Sequence, residues 1–405
     1  MGAKMAEISK ETGVYPQEAL AKVGTSDHSI LIGVPKEVGA QEKRVVLTPE
    51  AVALLVNNNQ RVMVETGAGK ASKFSDKEYA DAGAKVVYSS KEAFEAEVVL
   101  KVAPPTEEEI AYMKPGSCLM SALQLGKQRA EYIHALNRKK VTAVSFEHLE
   151  DKVGGMPVVR AMSEIAGSSV MLIAAEYLSS AKKGGKGLIL GGITGVPPTK
   201  VVIIGAGTVA EYAARAGLGL GASIEIFDNH LYKLRRIKQL LGQQVYTSTI
   251  DNYTLGQALK KADVVIGALR GEKGRAKVVV SEEMVAEMMP GSILIDVSID
   301  QGGCIETSRM TTHKEPAFIL YDIVHYCVPN IASRVSRTAS MSLSNIFTPI
   351  LLQMADLGGA EEMVFNYKWF MKGVYTYRGS LTNAHLGRKF QMNHKELQLL
   401  LAARY

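Results

Sequence analysis

The stretch that most constrains this chain runs from Lys200 to Asp228, KVVIIGAGTVAEYAARAGLGLGASIEIFD. Four consecutive β-branched residues, Val201 to Ile204, lead into Gly205-Ala206-Gly207. A segment with helical character follows, then a second apolar run, Ile224 to Phe227, that ends on Asp228. Strand, glycine turn, helix, strand and acid in that order form the unit that holds the diphosphate and ribose of a dinucleotide. Gly205 permits the tight turn, and Gly207, lacking a Cβ, lets backbone approach phosphate. A helix beginning near Thr208 would aim its unpaired N–H groups and positive dipole end at that anion. The third small position is Ala210, completing G-x-G-x-x-A. Asp228 follows the turn by about twenty residues, where a carboxylate accepts from a ribose 2′-OH and repels a 2′-phosphate. NAD is therefore expected rather than NADP, although Arg235 and Arg236 lie downstream.

A chain of 405 residues exceeds one ordinary core and suggests two domains. No tract reads as long or apolar enough to cross a membrane. The opening MGAKMAEISKETGVYPQEALAKVG has no apolar core for a signal peptide and no Ser or Thr where myristoylation wants one. Cys118, Cys304 and Cys327 are widely spaced, suiting a reducing cytoplasm and matching neither a disulfide framework nor a metal site. The formal charge of +6 is spread along the chain, which argues against nucleic acid and supports at most an attraction for anionic substrates.

Residues 1–29 read as an N-terminal extension. From Ile30 strands and helices alternate: ILIGV, VMVET, AKVVY, VVLKV, SCLMSAL and VTAVSF are strand-like, with helices capped at Thr48 and Ser75 between them. Repeated βα units with apolar strands predict an α/β fold whose parallel sheets are covered on both faces. A long helix is expected to begin near Ser163, and a second to span about Ser336 to Leu357. Strands at VVIGA, ILIDVS and FILY lie between them. The chain thus passes from a first domain into a nucleotide domain and back. The expected division is 30–157 plus 335–405, a discontinuous substrate domain, and 158–334, a dinucleotide domain, linked by the two long helices.

Several longer motifs occur in order: GVPKEVGAQEKRVVLTP, VETGAGKASKFSD, MSEIAG, LGGITGVPP, IIGAGTV, DQGGCIETSRMTTH and VHYCVPN. Over about Ile30 to Gly387 the chain resembles the family of alanine dehydrogenases and the nucleotide-binding alpha subunits of proton-translocating transhydrogenases. DQGG and the C-terminal YRGSLTNAHLG favour the dehydrogenase side. The resemblance implies two Rossmann-like domains around a cleft, a homo-oligomer that is commonly a hexamer, NAD as cofactor, and a small-molecule substrate. It also implies reversible oxidative deamination, with L-alanine and pyruvate as the default pair.

By resemblance, Arg44 in EKRVVLTP is the substrate-carboxylate arginine and Asp300 in IDVSIDQGG the aspartate at the cleft. Ser163, Lys233, Leu269, Arg309, Val328 and Asn330 fall at the family's cofactor positions, beside Gly205, Gly207 and Asp228. Two family residues are missing. The substrate lysine is replaced by Ala103 and the catalytic histidine by Gln124, which cannot exchange a proton near neutral pH. Arg160 and Arg270 stand where the dehydrogenases carry other residues, and either could replace the lost cation. Glu147 or His148, after VTAVSF, could serve as the acid–base group. Two alternatives therefore accompany the alanine dehydrogenase reading. One is an oxidoreductase of the same scaffold for a different 2-oxo acid, imine or amino-acid derivative. The other is a non-catalytic or transhydrogenase-like NAD(H)-binding protein.

Overall fold

The computed structural model describes residues 28–403 apart from 40, 152 and 272–275. The expected extension, 1–29, lies almost wholly outside the described residues. Strands β1 (Leu31–Val34), β2 (Arg61–Glu65), β3 (Lys85–Val87), β4 (Val98–Leu100), β5 (Cys118–Ser121) and β6 (Thr142–Ser145) belong to one sheet. Strands β7 (Lys200–Ile204), β8 (Ser223–Phe227), β9 (Tyr246–Ser248), β10 (Val264–Gly267), β11 (Ile293–Asp296), β12 (Ala317–Leu320) and β13 (Ile323–Tyr326) form another. The chain then returns to the first sheet with β14 (Val374–Tyr377) and β15 (Ser380–Leu381).

Both sheets are ordered alike. The second runs β9-β8-β7-β10-β11-β13, with β12 on the far edge, and the first runs β3-β2-β1-β4-β5-β6 before β14 and β15. Each is the doubly wound order, whose direction reverses between its first and fourth strands and opens a crevice at their carboxyl ends. The inner strands β5, β6, β10 and β11 are buried throughout, which is why they read as largely apolar runs rather than alternating ones.

Parallel pairing holds through both sheets except at one edge of each. β12, the expected strand FILY, runs antiparallel to β13, while β14 and β15 add an antiparallel pair beside β6. β13 was hidden in the sequence because His325 interrupts its apolar run. The side chain is nevertheless fully buried, with Nε2 2.9 Å from Thr307 Oγ1 and Nδ1 3.0 Å from the Ile323 carbonyl.

Helix α1 (Pro157–Leu178) starts ahead of the expected Ser163, because Pro157 at the first turn already has helical φ. Its apolar length would be enough to cross a membrane, which corrects the expectation that no such tract exists. It packs along α2 (Thr208–Gly219), and Gly167 is what brings the two helices together: a Cβ there would lie 2.5 Å from the Val209 carbonyl. The second long helix, α3 (Ser336–Asp356), packs against α1. One core cluster joins Ile30–Val158 residues to Leu343–Leu401 residues, and another begins at Ala166 on α1. Helix α1 therefore enters both cores.

At the crevice of the first sheet lies a buried ion pair. Lys101, fully buried just after β4, donates to Glu37 at 2.8 Å. The same carboxylate accepts from the Val102 N–H at 2.6 Å and the Ala103 N–H at 3.3 Å. Burial raises the Glu37 carboxyl above its ordinary range, and Lys101 opposes the shift. The pair fixes the strand end that carries Ala103.

Candidate functional site

The glycine turn has the geometry its sequence implied. Gly205 has φ +114°, and a Cβ on it would lie 2.5 Å from the Ala268 carbonyl oxygen, so β7 and β10 can meet here only through glycine. Gly207 faces open space and precedes α2, whose N-terminus has no side-chain cap. Free helix N–H groups beside a Cβ-free backbone fit a diphosphate. Gly205→Ala is expected to weaken NADH binding by about 1–3 kcal/mol of backbone strain, or roughly 5- to 150-fold. Fluorescence titration measures it, and an unchanged dissociation constant would show that the turn relaxes freely.

Asp228 is nearly buried. It accepts from the Ala206 N–H at 2.8 Å, accepts from the His230 N–H at 2.8 Å, and meets His230 Nδ1 at 2.8 Å. The expected ribose acceptor thus also braces the glycine turn. Lys233 is half-buried, 5.9 Å from the Tyr232 ring, and Leu269 follows the Ala268 carbonyl that Gly205 approaches. Val328 is buried and Ser163 half-buried. Arg309 stacks 4.1 Å over Phe318, which in turn stacks on His325, at the β12 edge of the sheet, with β13, β11 and β10 between β12 and β7.

Asp300 is held by its own motif. Asp296 caps the 3-10 turn Val297–Gln301, accepting from Ser298 N–H at 3.0 Å and from Cys304 N–H at 3.1 Å. Gly303 has φ +79°, and a Cβ there would meet Asp296 Oδ2 at 2.8 Å, which accounts for the glycines of DQGG. Gln301 Oε1 accepts from the Gly271 N–H at 3.0 Å, tying the loop of Arg270 to that of Asp300. Asp300 opens to solvent at its rim while protein crowds it on most sides. That burial raises its carboxyl, with Lys127 and then Arg270 pulling the other way.

The charge of Arg270 also reaches His148. Burial lowers the His148 imidazole, Glu147 opposes that, and Arg270 adds to it. Ser145 Oγ lies 3.3 Å from His148 Nδ1, and the Tyr375 ring lies 5.4 Å from the imidazole. Burial pushes the Tyr375 hydroxyl up to about 12, with the half-buried Glu147 adding to the shift. Arg270 thus acts both on Asp300 of its own domain and on His148, which with Glu147 follows β6 of the other sheet. Lys127, which sequence reasoning missed, joins Arg270 in acting on Asp300; the only signal was a cation three positions after Gln124 in SALQLGK. Gln124 itself is exposed at the end of β5 with φ +44°, a strained conformation for a non-glycine residue.

Arg44 lies elsewhere in the cleft, against Met162 of α1. Its Nε and Nη2 donate to Glu42 at 2.7 and 2.6 Å, and Glu42 also accepts from Asn330 at 3.0 Å. Asn330 is thereby joined to Arg44 through Glu42, a residue the sequence did not flag. Arg160 stands apart, 72% exposed and paired with Glu164 one turn along its own helix. The three cysteines are buried, which pushes Cys118 up to about 12 and Cys327 up to about 11 and makes thiolate chemistry inaccessible. A groove of about 780 Å3 beyond Asn229 is lined by none of the residues above.

The family profile "Alanine dehydrogenase/PNT, N-terminal domain" matches residues 33–166, and "Alanine dehydrogenase/PNT, C-terminal domain" matches 170–384. The chain is 38% identical over 355 residues to the alanine dehydrogenase of Methanococcus maripaludis, covering 87% of this chain and 94% of that one. It is similar to the solved structure of an L-alanine dehydrogenase, at a TM-score of 0.85 and 35% identity, covering 89% of this chain and 99% of the other. A transhydrogenase structure from Sinorhizobium meliloti matches at 0.74 and 25% identity, covering 88% and 99%.

Proposed function

This chain belongs to the alanine dehydrogenase/PNT family, and from that premise we propose that it is an NAD-dependent amino-acid dehydrogenase. Its reaction is the reversible oxidative deamination of L-alanine: alanine, NAD+ and water give pyruvate, ammonium, NADH and a proton. The greater likeness to the dehydrogenase structure than to the transhydrogenase carries this reading.

Residues 30–157 plus 335–405 form the substrate domain and 158–334 the cofactor domain. Gly205, Gly207 and the α2 N-terminus hold the diphosphate, Asp228 and Lys233 the adenosine ribose, and Ser163, Leu269, Arg309, Val328 and Asn330 complete the cofactor site. Bound NAD supplies the hydride acceptor. Arg44 receives the substrate carboxylate. Asp300, with its raised carboxyl, exchanges the proton on nitrogen or attacking water, and Arg270 and Lys127 hold its negative charge in check. The enzyme acts in the cytoplasm as a homo-oligomer, hexameric by resemblance.

One observation favours a second reading. Two cations, Arg270 and Lys127, act on Asp300 while Ala103 and Gln124 replace the family's lysine and histidine. An oxidoreductase for a more acidic 2-oxo acid would use that surplus of positive charge.

The test follows NADH absorbance with ammonium and a panel of 2-oxo acids. Turnover of about 1–1000 per second with pyruvate is expected. Turnover only with a dicarboxylic 2-oxo acid would select the second reading, and NADH binding without turnover of any would leave the chain as a nucleotide-binding protein. Arg160→Ala, paired on its own helix, is expected to change KM by less than about twofold, as a surface pair allows. A tenfold rise in KM would return it to the site.

A further inference from the structure

The residue meant to receive a substrate carboxylate already holds one. Arg44 gives its Nε and Nη2 hydrogens to Glu42 in a two-point pair at 2.7 and 2.6 Å, with both side chains largely buried. A guanidinium has a second edge, Nη1 with the other Nη2 hydrogen. Among the described residues Nη1 meets only Met162 Sδ, a weak acceptor, at 3.3 Å. Glu42 thus takes the inner edge and aims the outer edge away from itself.

An incoming carboxylate would meet a formally neutral pair, so Glu42 lowers the charge attraction that Arg44 alone would give. Its contribution must be geometric. Glu42 accepts from Asn330 Nδ2 at 3.0 Å, and Asn330 sits in the left-handed region at the turn between the cofactor domain and α3. The neighbours of Glu42 make the same crossing. Gln41 Oε1 accepts from the His313 N–H at 2.9 Å, the Gln41 carbonyl accepts from Ser333 Oγ at 2.9 Å, and Lys43 N–H donates to Ser333 Oγ at 3.0 Å. The 41–44 segment is thus stitched to the far side of the cleft, and Glu42 is the one stitch that touches Arg44.

We propose that Glu42 is a positioning residue that sets the outer edge of Arg44 for the substrate carboxylate and couples that seat to Asn330 on the cofactor side. The inference rests on the dehydrogenase reading above. It requires that occupancy of the cofactor site change the affinity for the carboxylate, and that the change pass through Glu42.

Oxamate, an unreactive 2-oxo acid analogue, is titrated into the full chain with and without saturating NADH, by calorimetry or NADH fluorescence. In the wild type NADH is expected to tighten oxamate about tenfold, a typical coupling between sites. In Glu42→Ala the ratio should fall to within about twofold of unity while the NADH dissociation constant stays near wild type; the thermal midpoint should fall too, because a buried guanidinium loses its partner, and a purely structural role would lower the midpoint and leave the ratio. A wild-type ratio of one, or an unchanged ratio in Glu42→Ala, overturns the proposal. Should Glu42→Ala not fold, Asn330→Ala cuts the link from the other side and must erase the same ratio, or the proposal falls. A wild type that turns over pyruvate with an undiminished ratio in the variant rejects only the role of Glu42. A wild type that neither turns over a 2-oxo acid nor binds oxamate rejects both.

Discussion

Lys101→Met is expected to lower the unfolding free energy by about 3–5 kcal/mol, the usual consequence of removing one partner from a buried ion pair. Lys101 is wholly enclosed, and its ammonium faces Glu37 at 2.8 Å with Glu109 at 4.0 Å. Methionine fills the space of the alkyl stem and leaves a carboxylate with no cation in a low-dielectric pocket. Glu37 responds by holding its proton more tightly. Burial already raises its carboxyl, and the loss of Lys101 removes the main opposing influence. A carboxyl whose folded pKa exceeds its unfolded pKa costs nothing below the unfolded value and destabilises increasingly as pH rises towards the folded one. The deficit should therefore be smaller near about pH 5 than near about pH 8. Adding Glu37→Gln should recover much of the loss, since glutamine is neutral and still accepts from the Val102 N–H. Urea unfolding of wild type, single and double variants at both pH values measures this. A deficit independent of pH, or no recovery in the double variant, would mean that the pair does not carry this stability.

Asp300→Asn is expected to lower kcat about a hundred- to ten-thousand-fold, the range for loss of a positioned acid–base group. Asparagine keeps the size and hydrogen-bonding shape, so the turn capped by Asp296 and the tie from Gln301 to Gly271 should persist. NADH affinity should accordingly change little. The pH profile separates this role from a structural one. Because burial raises the Asp300 carboxyl, a mechanism that needs the carboxylate loses rate on acidification at a pH above the ordinary carboxylate range. That acidic limb should vanish from the residual activity of Asp300→Asn. If the limb survives unchanged, the proton belongs to His148 or Glu147 instead.

The sequence carried the interior of each sheet well and the edges badly. VVII, VVIG and ILID are apolar because parallel strands are covered on both faces, so their composition states their environment. β14 could not be read that way. VYTY alternates, and its buried Thr376 is satisfied by the Val141 carbonyl at 2.8 Å, a partner more than two hundred positions away. The site divides similarly. Gly205 was readable because backbone geometry demands glycine there, whereas DQGG was readable only as a family motif. Glu42 and Lys127 were not, since a carboxylate or an ammonium on a loop looks the same in sequence whether it faces water or an arginine. Only the fold brings Asn330 to Glu42 and Lys127 towards Asp300.

The return of β14 to β6 also bears on how the molecule is made. The cofactor sheet is complete once β13 has emerged, because its strands are contiguous from Lys200 to Tyr326. The first sheet must wait for Val374–Tyr377 to pair with Thr142–Ser145, so its open edge beside β6 stays uncovered while the whole of the other domain is synthesised. The segment born first is therefore finished last. In the nascent chain, an exposed strand edge is a template for mispairing with other chains. That exposure ends only when the last strands close the edge beside β6.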